Sequence, residues 1–253
     1  MRLCVALPCF FKTKDTESFC AALRQIAALG YDAAETYRWK DLDLPAVKAV
    51  LEETGVELLS LCTTEFRLTE PAYREAFVAG VRESCEAARI LGATRMITQV
   101  GKDTGAPREK QRASIVEGLR AAAPILEQYG VTLMIEPLNT LVNHPGYYLS
   151  SSAEAFQIVE EVGSPSVKVI YDVYHQQVSE GNILPSILGN LDKIAHLHGA
   201  GHPGRHELQA GENDYRFIMK AIDEAGYTGA LGLEYSPLLP PEESLRLAKE
   251  LFG

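Results

Sequence analysis

The chain has 253 residues, enough for one large α/β domain or two small ones. Its 46% hydrophobic and 23% charged residues are ordinary for a globular protein. The formal net charge of −10 disfavours nucleic acid as a partner, because binding phosphates requires a basic surface and none is visible in the sequence.

The cysteines and the first residues of the chain indicate the cellular compartment of the protein. The five cysteines are an odd set without CxxC spacing, which indicates reduced thiols. The opening residues contain only a short apolar stretch before charge begins, and no run of about 18 apolar residues follows anywhere. We therefore expect a cytoplasmic protein with no membrane partner.

A pattern of helix, glycine and short apolar strand repeats along the chain. The glycine supplies the left-handed residue that ends a helix. The runs that follow it are apolar without alternation, as in parallel strands covered on both faces. Two further strands lack the glycine. The pattern predicts eight strands, at 2–7, 32–36, 56–61, 94–100, 131–136, 167–172, 193–198 and 229–235.

Amphipathic segments of helical length separate these strands. In the segment 16–30, Phe19, Leu23 and Ile26 share one helical face. Segment 71–92 opens with a proline, which the start of a helix tolerates. Segment 108–130 contains Pro124, which is expected to kink this helix or divide it in two.

Strict alternation of strands and helices indicates either a closed barrel or a doubly wound open sheet. An open sheet usually has a glycine-rich turn after its first strand, whereas here that strand runs into LPCFFKTKD. No linker, charge block or low-complexity tract divides the chain. The sequence therefore predicts an α/β fold, a single (β/α)8 TIM barrel, with residues 1–253 as one domain.

Four consecutive predicted strands end in side chains that can bind a metal, namely Glu136, Asp172, His198 and Glu234. Strand tips of a barrel converge on one mouth. One such residue alone is more often a helix cap, a rim charge or a packing histidine. Three carboxylates together, however, are costly to bury unless a cation or protons neutralise them. This oxygen-rich set favours one divalent ion, Mn²⁺ first with Mg²⁺ or Co²⁺ as alternatives, over a closed structural zinc site.

Coordination positions that the protein leaves open on such an ion indicate the type of reaction. A substrate carbonyl and a neighbouring hydroxyl could chelate there, so that the metal polarises the carbonyl and stabilises an enediolate. Glu136 and Glu234 could flank the substrate as proton-transfer groups. The predicted substrate is a small polyhydroxylated carbonyl compound.

Other polar residues fall near the same strand ends. His196 and His198 are two apart on one strand, so both point into the barrel. We interpret His198 as the ligand and His196 as a buried group below it that could orient a ligand. Arg205, in the loop 199–214, could bind an anionic or hydroxyl-bearing end of the substrate, or be an ordinary rim arginine. Glu35 and Gln99 could line the mouth or satisfy backbone groups near it.

Four short stretches resemble the xylose-isomerase-like barrel superfamily, and within it the hydroxypyruvate isomerase family most, with ketose 3-epimerases also similar. The similarity runs through most of residues 82–253. The pieces that carry it are EPLN at 136–139, DVYH at 172–175, PGR at 203–205 and GLEY at 232–235.

The resemblance implies a role for each matching residue. It implies metal ligands at Glu136, Asp172, His198 and Glu234, and it implies that the two glutamates are also the acid/base pair. It further implies that His175 and Arg205 contact substrate oxygens. It suggests a homo-oligomer, with a hetero-oligomer as the alternative.

Two departures leave the substrate open. Similar hydroxypyruvate isomerases tend to carry glutamine where His198 stands, and histidine there resembles the ketose 3-epimerases. The first strand, ALPCFF, also lacks the Asn-Leu-Ser opening expected of a hydroxypyruvate isomerase. The leading hypothesis is therefore an isomerase or epimerase that acts by proton transfer next to a carbonyl through an enediolate.

Three alternatives are kept beside it. A metal-dependent lyase acting on a 3-keto-sugar, similar to inosose dehydratases or 3-oxo-glycoside deglycosidases, would share the first half-reaction. A phosphate-ester endonuclease is disfavoured, because no histidine precedes His144 and no basic face is visible. A non-catalytic sugar-binding barrel subunit would have no use for the acid/base pair Glu136 and Glu234.

Overall fold

The computed structural model describes residues 1–252, in which eight parallel strands close into a barrel. The strands are β1 Arg2–Ala6, β2 Ala33–Thr36, β3 Glu57–Cys62, β4 Arg95–Thr98, β5 Thr132–Ile135, β6 Val167–Asp172, β7 Ile194–Gly199 and β8 Ala230–Leu233. They follow one another around the barrel in chain order, and β1 pairs with both β2 and β8. The predicted (β/α)8 barrel is confirmed, and each observed strand lies within two residues of its predicted bounds.

Helices connect the strands, and neighbouring helices pack against one another around the sheet. They are α1 Leu7–Phe10, α2 Thr16–Ala28, α3 Leu44–Thr54, α4 Arg74–Leu91, α5 Arg108–Tyr129, α6 Ser152–Val162, α7 Val173–Ser179, α8 Ile183–Leu188, α9 Tyr215–Glu224 and α10 Pro241–Phe252. Short 3-10 helices occupy Pro71–Tyr73 and Leu191–Lys193. Across residues 1–252, the helices are all too short or too polar to cross a lipid bilayer.

Local signals explain how the helices begin and end. Asp15 and Ser18 form a capping box at the start of α2, with the Asp15 carboxylate accepting from the Ser18 backbone N–H. At its other end α5 stops at Gly130, whose φ of 66° is left-handed. Pro124 does not divide α5, which is continuous through it. Packing explains this continuity, because α5 is held between α4 and α6 and packing outweighs local propensity.

The main hydrophobic core lies between the strands and the surrounding helices. Phe19 on α2 belongs to it and is 0% exposed. Smaller apolar clusters lie apart from this core, one of them formed by Ile97, Met134 and Ile170 on β4, β5 and β6. Because strand residues alternate in direction, the barrel interior is a separate layer, and it carries polar side chains as well as these apolar ones.

Phe19→Ala is expected to lower the free energy of unfolding by about 3–5 kcal/mol, because it opens a cavity in the main core. Denaturant titration followed by circular dichroism measures this change. The matched control is Phe217→Ala on α9, where the phenylalanine is 63% exposed, and we expect a change within about 0.5 kcal/mol. Equal losses in the two variants would show that Phe19 is not a core residue.

Candidate active site

A cavity of about 390 Å³ opens at the carboxyl ends of the barrel strands. Glu136 and Glu234 line it from positions directly after β5 and β8, and His198 lines it from near the end of β7. Asp172, the last residue of β6, is 0% exposed and lies next to these side chains. This is the end of a TIM barrel at which active sites are found.

The four residues singled out from the sequence come together at this point. Glu136, Asp172, His198 and Glu234 each offer one ligand atom, and these atoms all lie within 4.8 Å of one another. The His198 Nδ1 atom is 3.1 Å from Glu234 Oε2 and 3.7 Å from Glu136 Oε1. Three carboxylates and one imidazole are a donor set that suits a divalent cation preferring oxygen.

Unpartnered buried atoms show that this group fits a cation. The Glu136 Oε1 and His198 Nδ1 atoms are buried and form no hydrogen bond. Leaving such atoms unpaired costs about 1–3 kcal/mol each, and more when they are charged. A cation bound between them would remove this cost, so the residues can hold a divalent metal.

The electrostatics of the site reflect its excess of carboxylates. Burial raises the pKa of Asp172 to about 7, although the Arg205 guanidinium opposes this. Burial favours a low pKa for His198, but the Glu35 and Glu234 carboxylates outweigh it and raise that pKa well above its ordinary value. Burial likewise favours a high pKa for Glu234, but His198 and Arg205 hold it well below the usual range. The buried carboxylates are therefore stabilised by the positive charges of His198 and Arg205, and a bound divalent cation would stabilise them further.

Arg205 reaches into the site from the loop after β7. Its Nη2 lies 3.3 Å from Asp172 Oδ2 and also donates a hydrogen bond to Glu234 Oε2. The Arg205 backbone has a φ of 60°, in the left-handed region that non-glycine residues rarely adopt. Its guanidinium lies 5.3 Å from the centre of the Tyr174 ring. The structure thus brings Arg205 into the cavity lining, and its contact with substrate stays a prediction.

His175 lies at the start of α7, whose first turn is capped by the Asp172 carboxylate. Its Nδ1 faces the backbone N–H of Asn139 at 3.3 Å and the side-chain Nδ2 of Asn139 at 2.6 Å. With two donors on Nδ1, that nitrogen is the acceptor and Nε2 carries the hydrogen. Burial, with help from Arg205, holds the pKa of His175 well below its ordinary value. His175 is therefore a neutral donor on the cavity lining.

Two of the remaining predictions differ in outcome. Gln99 lines the cavity and accepts a hydrogen bond of 3.1 Å from the Tyr147 hydroxyl. Glu35, which could have lined the mouth or satisfied backbone groups near it, is not among the residues that line the cavity and is fully buried. It is not the last residue of β2, and its side chain turns into the barrel to contact His196 and His198. His196, as predicted, is buried below His198.

The sequence did not indicate Tyr37, which lines the cavity. Its hydroxyl donates a hydrogen bond of 2.5 Å to Glu234 Oε1. A tyrosine after a short strand has no metal-ligand or acid/base pattern that would mark it. Apolar side chains that line the cavity were also missed, namely Cys62, Phe66, Ile97 and Leu138.

The fold and the site together define a TIM-barrel protein with a metal-competent carboxylate cluster at the barrel mouth. Residues 23–251 match the model of the xylose isomerase-like TIM barrel family. The chain belongs to the xylose isomerase-like TIM barrel family, as the sequence motifs predicted.

Named relatives and solved structures are similar over most of the chain. Hydroxypyruvate isomerase of Escherichia coli is 33% identical over 237 residues, covering 90% of this chain and 92% of that protein. The 2-oxo-tetronate isomerase of Cupriavidus necator is 35% identical over 182 residues, covering 71% and 70%. The structure of an AP endonuclease, family 2, from Brucella melitensis has a TM-score of 0.93 and 25% identity, covering 98% of both chains. D-allulose 3-epimerase from Methylomonas sp. has a TM-score of 0.82 and 20% identity, covering 98% and 88%, and so shares the fold alone.

Proposed function

We propose that this chain is a divalent-metal-dependent isomerase or epimerase that moves a proton next to the carbonyl of a small keto acid or sugar, with residues 1–253 acting as one domain. The proposal rests on one observation, which is that ligand atoms of four side chains lie within 4.8 Å of one another at the barrel mouth. These side chains are Glu136, Asp172, His198 and Glu234. Relatives named hydroxypyruvate isomerase and 2-oxo-tetronate isomerase support this class of reaction.

The proposed cofactor is one Mn²⁺ ion, with Mg²⁺ or Co²⁺ as alternatives, held by these four residues. When bound, the ion supplies Lewis-acid stabilisation of negative charge on substrate oxygens. The unpartnered buried atoms Glu136 Oε1 and His198 Nδ1 support this assignment.

Glu136 and Glu234 are the proposed proton-transfer pair. Their carboxylates reach the site from the ends of β5 and β8, and both face the Nδ1 atom of His198. One glutamate would take the proton from the carbon next to the carbonyl. In an isomerisation a glutamate would return a proton to the former carbonyl carbon, while the hydroxyl proton of the first carbon passes to the former carbonyl oxygen. In an epimerisation a glutamate would return a proton to the opposite face of the same carbon. The enediolate between these steps forms and is consumed within the cavity.

The cavity walls would orient the substrate. The His175 Nε2–H can donate to a substrate oxygen, and the Arg205 guanidinium can bind a carboxylate or hydroxyl. The lining also includes the apolar side chains of Phe66, Ile97 and Leu138, which would help to exclude water from the bound substrate. A volume of about 390 Å³ suits a small ligand.

Tyr37→Phe is expected to lower kcat about 10- to 100-fold, because it removes the hydroxyl that holds Glu234. A hydrogen bond to a charged group contributes about 1.5–3 kcal/mol, which corresponds to that range. The measurement is steady-state kinetics at saturating metal. Tyr73→Phe is the matched control, since Tyr73 lies on the 3-10 helix Pro71–Tyr73. Equal losses of kcat in both variants would show that the Tyr37 hydroxyl has no specific role in the site.

Proton NMR in D₂O tests the proposed function. The Mg²⁺-loaded protein is incubated with hydroxypyruvate, a 2-oxo-tetronate, D-allulose and a 3-keto-glucoside, each beside a sample without protein. We expect deuterium to enter the carbon next to a carbonyl, and a chelator to abolish this. The product then distinguishes an isomerase, an epimerase and a lyase, which would release a β-substituent.

Two results would overturn the proposal, one from this experiment and one from a separate nuclease assay. A protein that binds a sugar without exchanging protons would be the non-catalytic barrel subunit. A protein that instead cleaves a DNA oligonucleotide with an abasic site would have the activity for which its structural neighbour, the AP endonuclease, is named. We disfavour the second outcome because the net charge of −10 opposes DNA binding.

We also propose a homo-oligomer, with a hetero-oligomer as the alternative. Large apolar side chains are exposed on the surface, among them Leu141 at 77%, Val142 at 61% and Leu238 at 66%. Leu141 and Val142 are adjacent in the chain, and contiguous exposed apolar side chains mark interaction sites. Light scattering on the purified chain gives its mass, and a monomer would exclude the homo-oligomer.

A further inference from the structure

A carboxylate lies inside the barrel next to the candidate metal cluster, and the proposed proton transfer makes no use of it. Glu35 on β2 is 0% exposed. Its Oε2 accepts a hydrogen bond of 3.0 Å from the Ser60 hydroxyl and lies 3.2 Å from His196 Nε2. Its Oε1 lies 3.0 Å from His198 Nε2. A buried carboxylate is costly unless polar partners surround it, and here the partners include His198, one of the four proposed metal ligands.

The two nitrogens of His198 face different groups. Nδ1 points toward the carboxylates of Glu136 and Glu234. Nε2 faces only the Glu35 side, and within residues 1–252 neither Nε2 nor Glu35 Oε1 completes a hydrogen bond. A neutral imidazole binds a cation through the nitrogen that carries no hydrogen. The Nδ1 atom is therefore available to a metal only when the hydrogen is on Nε2.

A glycine makes the approach of Glu35 to His198 possible. Gly232 on β8 pairs in register with His198 on β7 and with Cys4 on β1. A Cβ atom at Gly232 would lie 2.5 Å from His198 Cδ2 and 2.6 Å from Glu35 Oε1. Both distances are shorter than real Cβ contacts. The space between the two side chains thus depends on the absence of a side chain at this position.

We propose that Glu35 is a positioning residue that holds the hydrogen of His198 on Nε2, so that Nδ1 presents its lone pair to the divalent cation. Ser60 and His196 hold the other Glu35 oxygen and fix the direction of the carboxylate. The 3.0 Å between His198 Nε2 and Glu35 Oε1 is a hydrogen-bond distance, so that a reoriented Nε2–H could donate to this oxygen. The inference rests on the proposed function for the nature of the ligand, and it adds how the histidine is prepared to bind it.

Mn²⁺ titration of the metal-stripped protein by calorimetry is the first test. Glu35→Leu removes the acceptor and should weaken Mn²⁺ binding about 10- to 100-fold, the range found for groups that support a metal ligand. Glu35→Gln keeps an oxygen acceptor and should lose no more than about 10-fold. The matched control is Glu154→Gln on α6, a carboxylate paired with Arg108, which should bind Mn²⁺ as the wild type does.

NMR of protein labelled with ¹⁵N in the histidine rings gives a readout that a merely structural role would not change. In the Mg²⁺-loaded wild type we expect His198, assigned with His198→Gln, to carry its hydrogen on Nε2. In Glu35→Leu we expect the Nδ1–H form to become populated. Gly232→Ala, which pushes Glu35 and His198 apart, should weaken Mn²⁺ binding in the same direction as Glu35→Leu.

The outcomes separate this inference from the proposed function. If the wild type binds Mn²⁺ and both Glu35 variants bind it equally with an unchanged His198 tautomer, the inference alone is wrong. If the wild type binds no divalent ion, the proposed function fails and the inference fails with it. Should Glu35→Leu not fold by circular dichroism, Gly232→Ala decides in its place, and wild-type Mn²⁺ affinity with an unchanged His198 tautomer in that variant would overturn the inference.

One further variant tests whether Glu35 is itself a ligand. Cys4, Glu35 and His196 also offer three ligand atoms within 4.8 Å of one another, inside the barrel. Cys4→Ser should leave Mn²⁺ binding unchanged if Glu35 only positions His198. Loss of Mn²⁺ binding in Cys4→Ser would assign the ion to this inner group and overturn the inference.

Discussion

Glu136→Gln is expected to lower kcat about 10²- to 10⁴-fold, the range for a lost general acid or base. Glutamine has nearly the size of glutamate and keeps an oxygen that can contact a metal, but it cannot accept and return a proton. Because Glu136 lies just after the last residue of β5 and glutamine has nearly its size, we expect the barrel strands to keep their pairing. The measurement is the rate of deuterium incorporation from D₂O, with metal content matched to the wild type.

The control for this variant is Glu154→Gln, which neutralises a carboxylate on the outer helix α6. It should retain the wild-type exchange rate. Glu234→Gln should lose exchange to a similar extent, since the two glutamates act as a pair. Full exchange in Glu136→Gln would show that another group removes the proton, and the acid/base assignment would be wrong.

Asp172→Asn is expected to weaken Mn²⁺ binding more than about 100-fold. Loss of a group that only supports a metal ligand typically costs about 10- to 100-fold, and Asp172 is proposed as a ligand itself. The amide removes the negative charge of a buried ligand while keeping an oxygen that accepts the Tyr174 N–H, a hydrogen bond of 2.8 Å. The cap of α7 is therefore retained, so that the loss reports on the metal site. Calorimetric titration of the metal-stripped protein measures it.

The matched control is Asp214→Asn, because Asp214 caps α9 in the same way through a 3.1 Å bond from the Phe217 N–H. It lies outside the metal-competent cluster. It should bind Mn²⁺ with wild-type affinity. If Asp172→Asn also binds with wild-type affinity, Asp172 is a helix cap and not a ligand.

The features that could be predicted from the sequence are those with local signals. Glycine after a helix predicted ends such as Gly130, and apolar runs without alternation predicted the parallel strands. Glu136 and Asp172 could be placed at one mouth because each follows an apolar run, and the barrel brings strand ends together. Nothing beyond strand assignment was needed to expect their proximity.

The features that were missed depend on contacts between distant parts of the chain. Tyr37 meets Glu234 only because β1, β2 and β8 become neighbours when the barrel closes. The depth of Glu35 depends on its exact register in β2, where the pairing with β3 shifts between Ala34 and Glu35. Strand bounds read from a sequence are not exact to one residue, so which layer of the interior Glu35 occupies could not be predicted.

The continuity of α5 through Pro124 illustrates a third limit. Proline removes one backbone hydrogen bond, and the local rule predicts a kink or a break. Residues on both sides of it are buried, with Leu119 at 0% and Leu126 at 0% exposure. The packing that keeps the helix continuous involves α4 and α6, which the local sequence of α5 does not describe.

Anomalous diffraction from a crystal grown with Mn²⁺ tests the central claim most directly. We expect one peak at the barrel mouth, within coordination distance of Glu136, Asp172, His198 and Glu234. A crystal saturated with Mn²⁺ that shows no peak there, or a peak bound by other residues, would contradict the metal site and the proposed reaction built on it.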